Sequence, residues 1–258
     1  YLGGGESDEG RGIAVDSNGN VYVAGYTLSS GWISNGWNTS YGDDLYYDTY
    51  DLYGDGYVVK LNTSGDHLWS TYLGGAASDC GNGIAVDSNG NVYATGYTLS
   101  SGWISNGWDT SHNGGNDGYA VKLDTAGAHL WSTYLGGGDY DRGSGIAVDS
   151  NGNVYATGYT WSPGWVSNGW DTSNNDDGYD DSDGFVVKLN TAGTHLWSTY
   201  LGGTDYEDGS GIAVDSGGNI YATGITESSG WMNGGWDITL DGYSDGYVLK
   251  IIDPANAF

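Results

Sequence analysis

Carboxylates and indoles are the groups in this chain that could do chemistry, and both recur at fixed spacing. Asp8, Asp79, Asp141 and Glu207 each stand four residues before a glycine: Gly12, Gly83, Gly145 and Gly211. If the segments that follow are related by symmetry, these acids gather at one mouth. There they could hold a cation on the axis or stand as four solvated loop acids. A second set couples Asp51 with Asp55, Asp180 with Asp183 and Asp241 with Asp245. Closely spaced carboxylates repel unless they are solvated or share a cation, so Ca²⁺ at an irregular site is the candidate ligand. The run from Asp51 to Gly56 and that from Asp241 to Gly246 carry Tyr where an EF-hand loop has Asp or Asn, so neither is an EF-hand. The plain alternative is a turn carboxylate that accepts backbone N–H bonds.

The indoles come in pairs: Trp32 with Trp37, Trp103 with Trp108, Trp165 with Trp170 and Trp231 with Trp236. If exposed, each pair offers a flat apolar platform for a sugar ring or an anchor for a protein; if folded down, it plugs a sheet edge. His67, His129 and His195 recur at one repeat position, where symmetry keeps them apart and unsuited to a shared metal. The chain has no Gly-x-Ser-x-Gly elbow, zinc signature, phosphate loop or dinucleotide fingerprint, so neither a catalytic residue nor an organic cofactor is expected. Two close carboxylates in a cleft could cleave glycans. The third repeat, with Trp161-Ser162-Pro163 and the acids Asp176, Asp177, Asp180, Asp181 and Asp183, is where one repeat departs from the others.

The elements that must position these groups also repeat. Tyr-Leu-Gly-Gly begins at Tyr1, Tyr72, Tyr134 and Tyr200, which makes units of about 1–71, 72–133, 134–199 and 200–258 in one domain covering 1–258. With 49 Gly, 23 Tyr, 12 Trp and 2 Pro, the composition favours strands and turns over helices. Ile13 and Val15, then Val21 and Val23, alternate with small or polar residues around Asp16-Ser17-Asn18-Gly19-Asn20, which predicts a hairpin with positive φ at Asn18 and Gly19. Tyr57 to Leu61 and Leu68 to Leu73 predict two further strands, completing a four-stranded antiparallel meander with a long loop between its second and third strands.

Four such units set radially predict an all-β, four-bladed β-propeller. Small residues suit the inner strand and Trp69, Trp131 and Trp197 the outer rim or the seam between blades. The last unit lacks His-Leu-Trp-Ser-Thr-Tyr, so Tyr1-Leu2 is expected to complete the last blade; if that stub is too short, an open edge is left for a neighbour. The strings Gly-Ile-Ala-Val-Asp-Ser-x-Gly-Asn-Val/Ile-Tyr and Asp-Gly-Tyr/Phe-Val-Val-Lys-Leu, following Tyr-Leu-Gly-Gly, resemble the bacterial and archaeal SBBP beta-propeller repeat, a relative of NHL blades. The resemblance implies the fold and a secreted or surface protein, and it carries over no catalytic residue.

Net charge is −27, from 33 acidic residues against 6 Lys and Arg. Such a surface repels nucleic acid and anionic lipid and welcomes cations or a basic partner. No stretch is apolar and long enough for a membrane span. The chain opens on Tyr1 and its one Met is Met232, so the N-terminus is expected to be processed, trimmed or incomplete, and a removed signal peptide fits. Cys80 stands where the other repeats have Glu9, Arg142 and Asp208, so it is assigned no role. The expected function is a non-enzymatic binding or assembly module outside the cell, engaging carbohydrate or protein through its Trp and Asp loops. A structural subunit of a surface layer or filament, which would be a homo-oligomer, is the alternative, and a glycan-cleaving enzyme the second one.

Overall fold

The computed structural model describes residues 1–42, 54–174 and 181–253, and these contain strands and turns but no helix. In the first sheet β1 (Asp8–Val15), β2 (Val21–Thr27), β3 (Asp55–Leu61) and β4 (His67–Leu73) pair antiparallel in chain order. The second sheet repeats this with β5 (Asp79–Val86), β6 (Val92–Thr98), β7 (Asp117–Leu123) and β8 (His129–Leu135). The third does so with β9 (Asp141–Val148), β10 (Val154–Thr160), β11 (Asp183–Leu189) and β12 (His195–Leu201). The fourth has three strands among the described residues, β13 (Glu207–Val214), β14 (Ile220–Thr226) and β15 (Asp245–Ile251).

Local chemistry closes each meander. In the first hairpin Asp16 Oδ1 accepts from the N–H groups of Asn18 and Asn20 at 2.9 Å, and Gly19 takes φ 83°. Glycine carries the left-handed conformation alone; Asn18, expected to share it, does not. The next turn repeats the device, with Asn62 Oδ1 accepting from Ser64 and Asp66. These side chains satisfy backbone donors that would otherwise be left open at a tight turn.

Successive sheets pack face to face, and their first strands converge: β1 on β5, β5 on β9 and β9 on β13. The expected inner position of the Gly-Ile-Ala-Val strand is therefore found. A Cβ on Gly12 would lie 2.8 Å from Asn82 O, and one on Gly83 would lie 2.8 Å from Ser144 O, so nothing larger than glycine fits where the inner strands meet. Each seam is apolar. Between the first two sheets Tyr22, Val58 and Trp69 of one bury against Val92, Ala94 and Leu123 of the next.

Trp69, Trp131 and Trp197 lie in these seams. The Trp69 ring covers Gly127 of the next sheet and its Nε1–H donates to Thr125 O at 3.1 Å, as that of Trp131 does to Thr191 O. Lys60 and Lys122 donate to the same two carbonyls. In the third seam Asp253 stands at the equivalent place and its carboxylate takes both Lys188 and Trp197.

One expectation about closure is corrected. Tyr1-Leu2 does not complete the last blade: Tyr1 is fully exposed, and Leu2 packs with Ile33, Tyr57 and Tyr72 of the first sheet. The four sheets in this order are consistent with a four-bladed propeller, with Ile13 of the first sheet and Val248 of the fourth exposed among the described residues. The strands needed to make each seam are short-range partners, whereas a ring requires the angle between seams to sum to a full turn.

Candidate functional site

The four acids at the start of the inner strands do not converge on an axis. Each closes its own hydrogen-bonded node, and this corrects both the ring and the solvated-acid expectations. Asp79 is buried. Its Oδ1 accepts from Thr98 Oγ1, and its Oδ2 from Ser100 Oγ at 2.7 Å and from the Gly75 N–H at 2.9 Å. Asp141 is held the same way by Thr160, Ser162 and Gly137, and Asp8 by Thr27, Ser29 and Gly4. Glu207 reaches Thr226 and the N–H groups of Ser228 and Gly203 with its longer side chain. Burial pushes the Asp79 carboxyl up to about 6 and Asp141 up to about 7, against the downward pull of the donors around them.

The first indole of each pair belongs to the same node. Trp103 Nε1–H donates to Thr98 Oγ1 at 3.0 Å while that hydroxyl donates to Asp79. Trp32, Trp165 and Trp231 do likewise with Thr27, Thr160 and Thr226. Their rings meet Tyr57, Tyr119, Phe185 and Tyr247 edge-on, Trp103 to Tyr119 at 5.0 Å. These four indoles are staples of the fold and are half-buried.

The second indoles differ from one another. Trp37 lies flat on His129 of the next sheet, centroids 4.2 Å apart at 25°, and Trp108 lies on His195 at 4.1 Å and 22°. Burial lowers the pKa of both histidines. Trp170 and Trp236 sit one and two repeats further on, where no such outer strand follows among the described residues, and they are 62% and 102% exposed against 36% for Trp37.

In the first three repeats the loop that carries the pair runs along the free edge of the outer strand. Ser34 N–H donates to Ser70 Oγ, Ser70 N–H to Ser34 O at 2.8 Å, and Tyr72 N–H to Asn38 O, with Asn35 turned to φ 63° between them. The loops clasping β8 and β12 repeat these bonds and so satisfy an edge that would invite pairing.

Asp55 and Asp117 are buried where β3 and β7 begin. Asp55 Oδ2 accepts from the Gly42 N–H, its Oδ1 has no partner, and burial next to Asp79 pushes the carboxyl up to about 8. Asp117 Oδ1 is also without a partner. Asp183 is buried beside Glu207 across the third seam. Asp245 accepts from the Asp241 N–H, a turn bond rather than a paired cation site. Asp51 and Asp180, with Asp176 and Asp177, lie outside the described residues. Among the described residues no group of three or more His, Cys, Asp or Glu is placed to hold a metal ion. Cys80 is buried and its thiol is pushed up to about 11 by burial, which suits no nucleophile. In the third repeat Ser162 donates to Asp141 and Trp161 packs on Tyr140.

Sequence reasoning missed two participants. The Thr-x-Ser that ends each second strand supplies the hydroxyls of the node, and its constant distance of 19 and 21 residues from the acid in all four repeats was the available signal. The histidines were placed on the outer strands, but their stacking under the preceding repeat's indole was not foreseen.

Blades with these motifs define a β-propeller built from repeats. Residues 1–31, 68–102, 130–164 and 196–230, more than half of the chain, match the SBBP beta-propeller repeat, and the chain belongs to that family. It is 30% identical over 156 residues to an uncharacterized WD repeat-containing protein, L264, of Acanthamoeba polyphaga mimivirus, a match covering 57% of this chain and 11% of that protein. It is 28% identical over 137 residues to the regulatory protein FlaEY of Caulobacter vibrioides, covering 51% of this chain and 14% of that protein. The chain thus spans a small part of the length of these curated relatives. Among solved structures it is similar to a gluconolactonase of Xanthomonas campestris, with 13% identity, TM-score 0.39, and coverage of 87% of this chain and 58% of that one. A protein of unknown function from Dyadobacter fermentans gives 9% identity, TM-score 0.43, and coverage of 84% and 57%. The lactonase activity is that of the Xanthomonas protein.

Proposed function

We propose that the chain is a non-enzymatic binding and assembly module, secreted or displayed at a cell surface, whose partner is a protein met at the outer edge of the blades. The observation that carries this reading is the exposure series of the second indoles. Trp37 and Trp108 are covered by a histidine of the next repeat, whereas Trp170 and Trp236 are bare. An indole whose cover depends on a neighbouring blade is a protein contact; a sugar platform needs no such neighbour. The carboxylates of the four nodes and Ser162 are engaged in hydrogen bonds within the fold, which supports a non-enzymatic role. Cations enter as screening counter-ions of a surface at −27 rather than as ligands of the acid nodes, whose oxygens are taken by hydroxyl and amide donors.

The test is retention. The immobilised chain is offered envelope proteins of its source and, separately, soluble and insoluble polysaccharides. Protein retention that is lost in the Trp170→Ala, Trp236→Ala double variant and is unmoved by excess oligosaccharide supports the reading. Polysaccharide binding that the double variant abolishes, or protein retention that it leaves intact, overturns it.

A further inference from the structure

The chain has two arginines, Arg11 and Arg142, and the fold brings them to one place although they stand on the first and third sheets. The four lysines follow the repeat, each lying over a tyrosine of its own sheet. The arginines do not. Where Arg11 stands the other repeats have Asn82, Ser144 and Ser210, and where Arg142 stands they have Glu9, Cys80 and Asp208. These are the two columns in which the inner strands differ by more than Asp for Glu, so the symmetry of the repeat does not account for what is placed there.

Both guanidinium groups reach one oxygen. Arg11 Nη1 donates to Asn82 Oδ1 at 3.1 Å, and Arg142 Nη2 donates to the same atom at 3.2 Å. Asn82 is itself fixed, its Nδ2 donating to Gly143 O at 2.8 Å. Arg11 Nη1 also meets Cys80 Sγ at 3.0 Å, and its Nη2 donates to Glu9 at 3.2 Å. A tyrosine of the second strand lies against each guanidinium, Tyr26 at 5.3 Å from Arg11 and Tyr97 at 5.4 Å from Arg142, which sets the planes of the two forks. Among the described residues Asn82 Oδ1 is the one hydrogen-bond acceptor of Arg142, whose buried Nε has no partner. Asp208 is close enough for Arg142 to favour its charge, yet its buried Oδ1 is also without a partner. Two cations on a shared neutral oxygen repel each other, and a chain with 33 acids had carboxylates to place between them. It places an amide there.

We propose that Arg11, Asn82 and Arg142 form a binding site for a small organic carboxylate, held by the guanidinium N–H groups that converge around Asn82. The planar forks match the two oxygens of a carboxylate. Glu9 already neutralises one side of Arg11, so the positive charge left over suits a monoanion better than phosphate. Solvent reaches the site, since the Arg11 side chain is 28% exposed. Space around it is narrow: a Cβ on Gly12 would lie 2.8 Å from Asn82 O, and one on Gly81 would lie 3.1 Å from Gly25 O. A carboxylate at the end of a small molecule fits such a place, and a polymer backbone does not. The site is built by the inner strands alone and stands apart from the outer-edge indoles.

The two arginines make the test direct. Arginine-selective ¹⁵N labelling of the full chain gives two Nε–H resonances, both from the site. Sodium acetate, titrated at an ionic strength held constant with NaCl, is expected to move both along one saturating curve in the millimolar range. Arg142→Gln should weaken the response at Arg11 roughly 10-fold, since it removes one of the two charged donors. Asn82→Asp sets a carboxylate between the guanidiniums and should abolish the acetate response, with both resonances displaced before any acetate is added. A native chain whose resonances do not saturate, or that answers chloride as it answers acetate, overturns the proposal. Tighter binding of sodium phosphate overturns the assignment to a carboxylate. An Arg11 response as strong in folded Arg142→Gln as in the native chain overturns the shared site; if that variant does not fold, the native titration and Asn82→Asp decide.

Discussion

Replacing Asp55 with Asn should abolish much of the loss of stability that the native chain suffers as pH rises. The carboxyl is buried where β3 begins, accepts one N–H from Gly42, has a second oxygen with no partner, and faces Asp79 across the seam. Burial, with that neighbouring charge, lifts it from an ordinary 3.8 to about 8. The folded chain then keeps a proton that the unfolded chain has released. The stability this group permits is full below the unfolded value, is lost as pH climbs toward 8, and stays lost above it. At about 1.4 kcal/mol per tenfold change in proton affinity, the loss from pH 5 to pH 8 has a ceiling of roughly 4 kcal/mol for Asp55 alone, and relaxation of the site brings it to about half that. Asn keeps the shape, carries no charge and can still accept from Gly42. Denaturant midpoints measured between pH 5 and pH 8 should therefore fall clearly for the native chain and by about 2 kcal/mol less for Asp55→Asn, with the variant the more stable of the two at the alkaline end. His129 and His195 titrate in the opposite sense and equally in both proteins, so the difference between the curves reports Asp55 together with its charge coupling to Asp79. Parallel curves, or a variant weaker than native at pH 8, would refute the account of Asp55 as a strained carboxyl.

The remaining predictions concern the nodes and seams. Thr98→Val should destabilise by about 2–4 kcal/mol in denaturant unfolding, because Trp103 Nε1, the Ser100 N–H and Asp79 Oδ1 each lose a buried partner, whereas Thr98→Ser should recover most of it. Trp37→Ala should cost about 1 kcal/mol and move the His129 titration upward toward its ordinary value in NMR, since it strips the ring that desolvates the imidazole. Asp253→Ala leaves Lys188 charged and buried and takes the acceptor of Trp197, and should lower stability by about 3–5 kcal/mol, far more than a change at exposed Asp215. Raising salt should stabilise the fold by screening like charges, with CaCl2 and NaCl equal at matched ionic strength; a calcium-specific gain reversed by chelator would point to a ligand site.

The strands and their order were legible because each is announced by two independent signals, a run of alternating apolar residues and a turn whose Asn or Asp caps the backbone. Val21 to Thr27 and Asp55 to Leu61 are such cases. The site was legible only in its parts. Asp79, Thr98 and Trp103 look like three unrelated chemistries when each is read against its neighbours in sequence, yet one hydroxyl joins them by donating to the acid and accepting from the indole. Only pairing of β5 with β6, which sets Asp79 opposite Thr98, brings that hydroxyl to the carboxylate. A charge ring was the natural reading of four acids at one repeat position, but a carboxylate already holding three donors has little left to offer a cation.

Closure was the part that repeat counting could not supply. The number of repeats fixes the number of sheets, whereas the angle between sheets is set by what lies in the seam. Here glycine meets backbone at the inner strands while Trp69 and Trp131 fill the outer part of the same seam. Each seam is thereby wedge-shaped, narrow inside and wide outside, and the turn it imposes is a property of those side chains. Three such wedges join the four sheets, and among the described residues they leave Ile13 and Val248 exposed. Exposed faces of that kind are costly unless covered.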